Sequence, residues 1–202
     1  RFVLMNSFTT RAETLEFLAR YPELMQGGPV DFLQSKVPKI RADTWEPVHW
    51  PADPELEWCP PGHGDFYPSL SNSGLLDTLL ADGIRYAFIS NSDNLGATVD
   101  ARLLRHFADT GWSLMMEVAE RTPADRKGGH LARRRESGRL LLRESAQCPK
   151  EDETSFQDVA RHRFFNTNNL WLRLDHLRDA LRREGGTLRL PLITNAKTVD
   201  PR

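Results

Sequence analysis

Asp93 stands in the run Asn91-Ser92-Asp93-Asn94-Leu95-Gly96, directly after the apolar Tyr86-Ala87-Phe88-Ile89-Ser90. An acid at the exit of a buried strand can hold magnesium, which takes one or two carboxylates and completes its shell with water and phosphate oxygens. The same placement also suits an ordinary turn or helix-cap aspartate. His63 lies between two glycines in Cys59-Pro60-Pro61-Gly62-His63-Gly64-Asp65. The glycines let the backbone approach a ligand closely, and the prolines stiffen the entrance to the turn. Asp65, Ser69 or Ser71 could then start a helix whose first amides face an anion. The adjacent amides and hydroxyl of Asn166-Thr167-Asn168-Asn169 need partners, which either a sugar or a local turn network can supply. Lys127-Gly128-Gly129 offers a cation and backbone donors, and Glu144 an acceptor at a strand end. Arg133, Arg134 and Arg135, interrupted by Glu136 and lacking interleaved aromatics, read as a solvated hairpin tip. Trp45, Trp50, Trp58, Trp112 and Trp171 are expected in core and lid packing.

The elements that must position these residues read as alternating strands and helices. Phe2 to Asn6 is a strand, Ser7 or Thr10 caps a helix through Leu15 and Leu18, and Val30 to Leu33 is a second strand. The stretch from Pro38 to Pro61 has no steady period and predicts a long excursion with at most short strands. Leu70, Leu75, Leu76, Leu79 and Leu80 recur at helical spacing up to Gly83. Tyr86 to Ser90, its polar exit and a helix from Val99 to Phe107 form the strand-loop-helix unit of an open α/β sheet. Ligands of such sheets sit beyond the carboxyl ends of the strands, where Asn91 and Asp93 fall. Trp112 to Val118 predicts a strand buried on both faces, and Leu131 to Arg135 with Arg139 to Glu144 a hairpin about Ser137-Gly138. A strand at Phe164 to Leu172, a helix capped by Asp175 and a final strand at Leu188 to Ile193 complete the expectation.

The chain of 202 residues, 39% of them hydrophobic, is long enough to bury one substantial core, and a single domain is expected. A net charge of −1 gives no global attraction to nucleic acid or to anionic lipid. No run approaches a membrane span, and Arg1 to Asn6 is too short an apolar stretch for a secretory signal. Cys59 and Cys148 lie far apart without metal-ligand spacing, so neither a disulfide framework nor a zinc site is indicated, and a cytoplasmic setting is expected. The chain opens inside what reads as a strand, so residues before Arg1 are expected.

Taken in order, Leu4-Met5-Asn6-Ser7-Phe8, Phe32-Leu33-Gln34, Pro60 to Asp65, Asn91 to Gly96, Lys127-Gly128-Gly129, Phe165 to Trp171 and Asn195-Ala196-Lys197-Thr198-Val199-Asp200 resemble the eukaryotic-like UTP–glucose-1-phosphate uridylyltransferases. The resemblance spans nearly the whole chain. It implies a Rossmann-like nucleotide-diphospho-sugar transferase domain with a mixed, mostly parallel central sheet, here incomplete at both ends. It also implies magnesium-dependent formation of UDP-glucose and pyrophosphate from UTP and glucose 1-phosphate. Carried over by motif, Met5, Gln34 and Gly62 would contact uracil, and His63 the sugar and its phosphate. Asn91 and Asp93 would lie by the ribose, phosphates and metal. Gly128, Gly129, Glu144, Asn166, Thr167 and Asn168 would hold the glucose hydroxyls, and Lys197 would add charge near the phosphates. Family members carry a Gly-rich loop and a lysine before this stretch, and a further lysine and a β-helix used in oligomerisation after it. The 202-residue chain alone is therefore expected to show weak nucleotide-sugar affinity and little turnover. A uridylyltransferase for N-acetylhexosamine 1-phosphates or for several sugars, and a non-catalytic nucleotide-sugar-binding module, are the competing readings, and the oligomeric state stays open.

Overall fold

The structure, a computed structural model, describes residues 1–201, which divide into two compact α/β units. The first comprises Arg1–Ile84 and the segment from Asp175 onward; the second is Arg85–Leu174.

In the first unit β1 (Leu4–Asn6), α1 (Arg11–Leu18) and β2 (Asp31–Leu33) form a strand-helix-strand crossover, with β1 and β2 parallel and Leu4 opposite Asp31. Thr10 precedes α1 without capping it, because its hydroxyl meets that of Ser7 instead. The excursion that follows holds short pieces: β3 (Val37–Pro38) paired antiparallel with β4 (Trp58–Cys59), an antiparallel bridge between Ile40 and Pro47, and a 3-10 turn at Pro54–Glu57, as its prolines lead one to expect. The leucine spacing predicts one helix, yet α2 (Phe66–Asn72) and α3 (Leu75–Ala81) are separate. Gly74, at φ 77°, adopts a left-handed conformation that a continuing helix cannot hold. Leu70, Leu75, Leu76 and Leu79 are buried nonetheless, together with Leu18, Val30 and Phe32. Phe32 meets Phe66 edge-on with ring centroids 5.8 Å apart.

The second unit runs β5 (Tyr86–Ile89), α4 (Ala101–Thr110), β6 (Leu114–Glu120), β7 (His130–Arg133), β8 (Leu140–Arg143), α5 (Glu153–Phe156) and β9 (Phe164–Arg173). The Asp100 side chain caps α4 by accepting from the Arg102 amide, and Gly111 at φ 67° ends it. β9 is the spine of a five-stranded sheet: β6 lines one edge, while β5 and β7 share the other and β8 extends β7. Trp171 and Leu172 of β9 are buried, with Phe88 4.7 Å from Trp171 between ring centroids. After β9 the chain enters α6 (Leu174–Arg183), which returns to the first unit and buries Leu177 and Leu181.

Several expectations need correction. Every pairing in the five-stranded sheet is antiparallel, and β1–β2 is the parallel pair among the described residues. β5 and β6 do run the same way, as a strand-helix-strand unit requires, but β9 lies between them in the opposite sense. β6 is not buried on both faces: it pairs with β9 alone, and Leu114 and Val118 are exposed. Leu188 to Ile193 forms no strand; Pro191 interrupts it, and Leu190, Leu192 and Ile193 face outward. Of the tryptophans only Trp171 is core, whereas Trp45 is 72% and Trp112 53% exposed, with Trp50 and Trp58 also at the surface.

Candidate functional site

The candidate residues fall into two groups, one in each unit. In the second unit, the polar exit of β5 and the middle of β9 are joined directly, because Asn168 Nδ2 donates to Asn91 Oδ1 at 2.7 Å. Asn168 can face that loop because β9 bulges here: Met116 pairs with Leu170 and Val118 with Asn166, leaving Thr167, Asn168 and Asn169 opposite Glu117 alone. Asn168 takes φ 62°, and its amide is held by Asn166 Oδ1 at 2.8 Å. Bulges of this kind re-aim side chains at functional sites. Thr167 Oγ1 donates to the Glu117 carbonyl at 2.8 Å, which occupies the hydroxyl proton. Asp93 is exposed on the turn after β5, and no side-chain hydrogen bond or ion pair of its carboxylate occurs among the described residues.

Gly129, Glu144 and Asn166 also meet. The Asn166 amide donates to the Gly129 carbonyl at 3.1 Å, and a Cβ on Gly129 would lie 2.5 Å from a Glu144 carboxylate oxygen. Gly129 is thus the residue that admits Glu144 to this corner. Burial pushes the Glu144 carboxyl above its ordinary range. Gly128 sits one residue back, its amide bonded to the Asp125 carbonyl.

In the first unit Met5 lies within β1 and Gln34 follows β2, its amide donating to the Asn6 carbonyl at 2.9 Å. Gln34 Oε1 is buried without a hydrogen-bond partner among the described residues. Such an orphan acceptor costs stability unless a ligand donor meets it. Gly62, at φ 99°, opens the turn that holds His63, and a Cβ there would find open space. Asp65 does not cap α2 through its side chain. Its carboxylate instead accepts from the Ser35 amide, from Ser35 Oγ at 3.0 Å and from Ser69 Oγ. That clamp ties the chain after Gln34 to the chain after Gly62 and His63. Lys197 is exposed on the irregular segment after α6, which Lys39 Nζ pins by donating to the Val199 carbonyl at 3.0 Å.

Sequence reading missed Glu117 and Ser35. Glu117 receives Trp171 Nε1 at 2.7 Å and Asn169 Nδ2 at 3.0 Å. Its one signal is an acid inside the apolar run Leu114-Met115-Met116-Glu117-Val118. Among the described residues no group of three or more His, Cys, Asp or Glu side chains is arranged to hold a metal. No helix there is long and apolar enough to cross a membrane.

A family model described as UTP–glucose-1-phosphate uridylyltransferase matches residues 1–202. A probable UTP–glucose-1-phosphate uridylyltransferase of Schizosaccharomyces pombe is 41% identical over 98% of this chain and 38% of its own length. The Solanum tuberosum enzyme of that name is 40% identical over 98% and 41%. The crystal structure of a Trypanosoma brucei UDP-glucose phosphorylase superposes with a TM-score of 0.92 at 53% identity, covering 99% of this chain and 45% of that one. A variant of the Leishmania major UDP-glucose pyrophosphorylase, solved in complex with UDP-glucose, gives 0.90 at 52% identity, covering 99% and 45%. The chain thus spans less than half the length of these relatives. By a family match over its full length and by relatives at this level of identity, the chain belongs to the UTP–glucose-1-phosphate uridylyltransferase family.

Proposed function

We propose that the protein containing this chain forms UDP-glucose and pyrophosphate from UTP and glucose 1-phosphate, and that this chain is the middle of its catalytic domain, of Rossmann-like nucleotide-diphospho-sugar transferase type and cytoplasmic. The observation that carries the reading is the corner where Gly129, Glu144 and Asn166 meet. A half-buried carboxylate that has no donor among the described residues, set against a glycine whose carbonyl holds the Asn166 backbone, suits a hydroxyl-rich sugar. Gly128, Thr167 and Asn168 extend that subsite. In the first unit the orphan Gln34 Oε1 suits the N3–H of uracil, with Met5 and Gly62 as the other uracil contacts.

An oxygen of the sugar phosphate bonds to the α-phosphorus of UTP in line, and the bond from that phosphorus to the bridging oxygen breaks, pyrophosphate leaving with the electron pair. The attacking phosphate is already ionised, so the protein must position it and offset negative charge rather than supply a strong base. His63 would sit by the sugar phosphate, Asn91 by the ribose, and Lys197 would add positive charge. The exposed, unengaged Asp93 carboxylate fits magnesium held by one protein acid and by phosphate oxygens. The ion would supply charge to the phosphates when bound.

The test is pyrophosphate release by the complete protein from UTP with glucose 1-phosphate or N-acetylglucosamine 1-phosphate. Selective use of glucose 1-phosphate, lost in Asp93→Asn without loss of folding, is expected. Preference for the N-acetyl sugar, or no turnover with either, overturns the reading.

A further inference from the structure

Glu117 ends a chain of hydrogen bonds that starts in the loop after β5. The Gly96 amide donates to Asn94 Oδ1 at 3.2 Å, and Asn94 Nδ2 donates to Asn169 Oδ1 at 3.2 Å. Asn169 Nδ2 then donates to Glu117 Oε2 at 3.0 Å, while Trp171 Nε1 takes Glu117 Oε1 at 2.7 Å. The direction of this relay is fixed at both ends. A backbone amide and an indole can only donate, and an ionised carboxylate can only accept. Neither asparagine can turn over without setting donor against donor or acceptor against acceptor. Asn169 is buried, so water does not relieve such a conflict.

The relay connects places that the proposed reaction uses. Asn94 follows Asp93 directly, and Asn169 follows Asn168, whose side chain holds Asn91. We propose that Glu117 is a positioning residue for uridylyl transfer: as the acceptor-only end of the relay, it holds the Asn91–Asp93 loop in register with the Asn166–Asn168 segment. The role rests on the reading of those segments as phosphate and sugar contacts.

Relay direction makes an unusual test. In Glu117→Gln the new amide keeps an oxygen for Trp171 but sets its NH2 against Asn169 Nδ2. In Asn94→Asp the new carboxylate faces Asn169 Oδ1. In the double variant Asn169 turns over: it accepts from the new amide at 117 and donates to the new carboxylate at 94, which still accepts from the Gly96 amide. Every donor again has an acceptor, and the formal charge is unchanged.

The experiment measures kcat and KM for glucose 1-phosphate in the complete protein, with hydrogen exchange of the Trp171 indole N–H as a second readout. Each single variant should lose roughly ten- to a hundred-fold in kcat/KM, the cost of small misplacements, and the double variant should recover to within a few-fold of the parent. Parent-like kinetics in Glu117→Gln, or a double variant no better than the worse single, overturns the proposal. If the parent makes no UDP-glucose, the functional reading fails, and indole exchange alone decides the relay. Faster exchange in each single variant with restoration in the double sustains it; unchanged exchange in Glu117→Gln refutes it.

Discussion

Asn168 donates its side-chain amide to Asn91 Oδ1 from a backbone held at φ 62°, so one residue meets a backbone requirement and a side-chain requirement together. Asparagine tolerates this left-handed region better than most residues, and glycine better still. Substituting each way separates the two requirements. Asn168→Ala should lower stability by about 1–2 kcal/mol through strain and the lost hydrogen bond. Asn168→Gly should retain most of the stability but raise KM for glucose 1-phosphate as much as alanine does. Thermal unfolding and steady-state kinetics on the two variants check this, and equal destabilisation by both would remove the argument from backbone strain.

The local units were legible because each has a short-range cause. Asp100 and Gly111 bracket α4, and Gly138 at φ 66° turns the β7–β8 hairpin. The order of strands in the sheet was not legible. β9 enters between β5 and β6 from more than forty residues beyond β6, and no local pattern encodes which strands a central strand will separate. The site divided similarly: Asn91 and Asp93 stand out as polar residues at the exit of an apolar strand, and Asn166 to Asn168 as a polar knot inside another. Glu117 and Ser35 matter only through partners distant in sequence, Asn169 and Trp171 for one and Asp65 for the other.

The Asp65 carboxylate joins the chain after β2 to the first turn of α2. Asp65→Ala would leave the Ser35 amide and the Ser35 and Ser69 hydroxyls without that acceptor. The loss should be about 2–3 kcal/mol, in the range for bonds to a charged group. Because Gln34 and Gly62 flank the clamp, uridine affinity should fall more than affinity for the sugar phosphate. Denaturant unfolding together with calorimetry using UTP and UDP-glucose measures both effects; unchanged uridine binding would confine Asp65 to stability.

Gly129→Ala tests the corner where the sugar reading is concentrated. The added methyl would stand 2.5 Å from one Glu144 oxygen and 2.7 Å from the other, too close for both to stay. The obstructed group is the end of a flexible side chain, so Glu144 should swing away and global stability should drop by no more than about 1 kcal/mol. Glucose 1-phosphate KM should nevertheless rise at least roughly ten-fold, the scale of one hydrogen bond to a charged acceptor, with UTP KM nearly unchanged. Equal effects on the two substrates would remove Glu144 from the sugar subsite.

The hairpin that carries Gly129 and Glu144 should lose stability in acid. His130, at the start of β7, is fully buried, stacked on His162 at 3.9 Å and tilted against Phe156 at 4.5 Å between ring centroids, with Nδ1 3.3 Å from the Leu131 carbonyl. Burial holds its pKa down to about 4, and the neighbouring Arg121 and Arg143 act in the same direction. His162 is lowered for the same leading reason. The unfolded chain takes up a proton at His130 near a pH of about 6.5, whereas the folded chain does not until about 4. Between those values unfolding binds protons, so stability is complete above the unfolded pKa and is lost as pH falls through the folded one. Glu144, raised by burial, acts oppositely, since acid protonates it first in the folded state. Urea unfolding followed between about pH 7 and about pH 4 should therefore show a falling midpoint, and His130→Phe should flatten that slope while retaining the ring contact with Phe156. A slope unchanged by this substitution would assign the acid sensitivity to His162 or to carboxylates elsewhere.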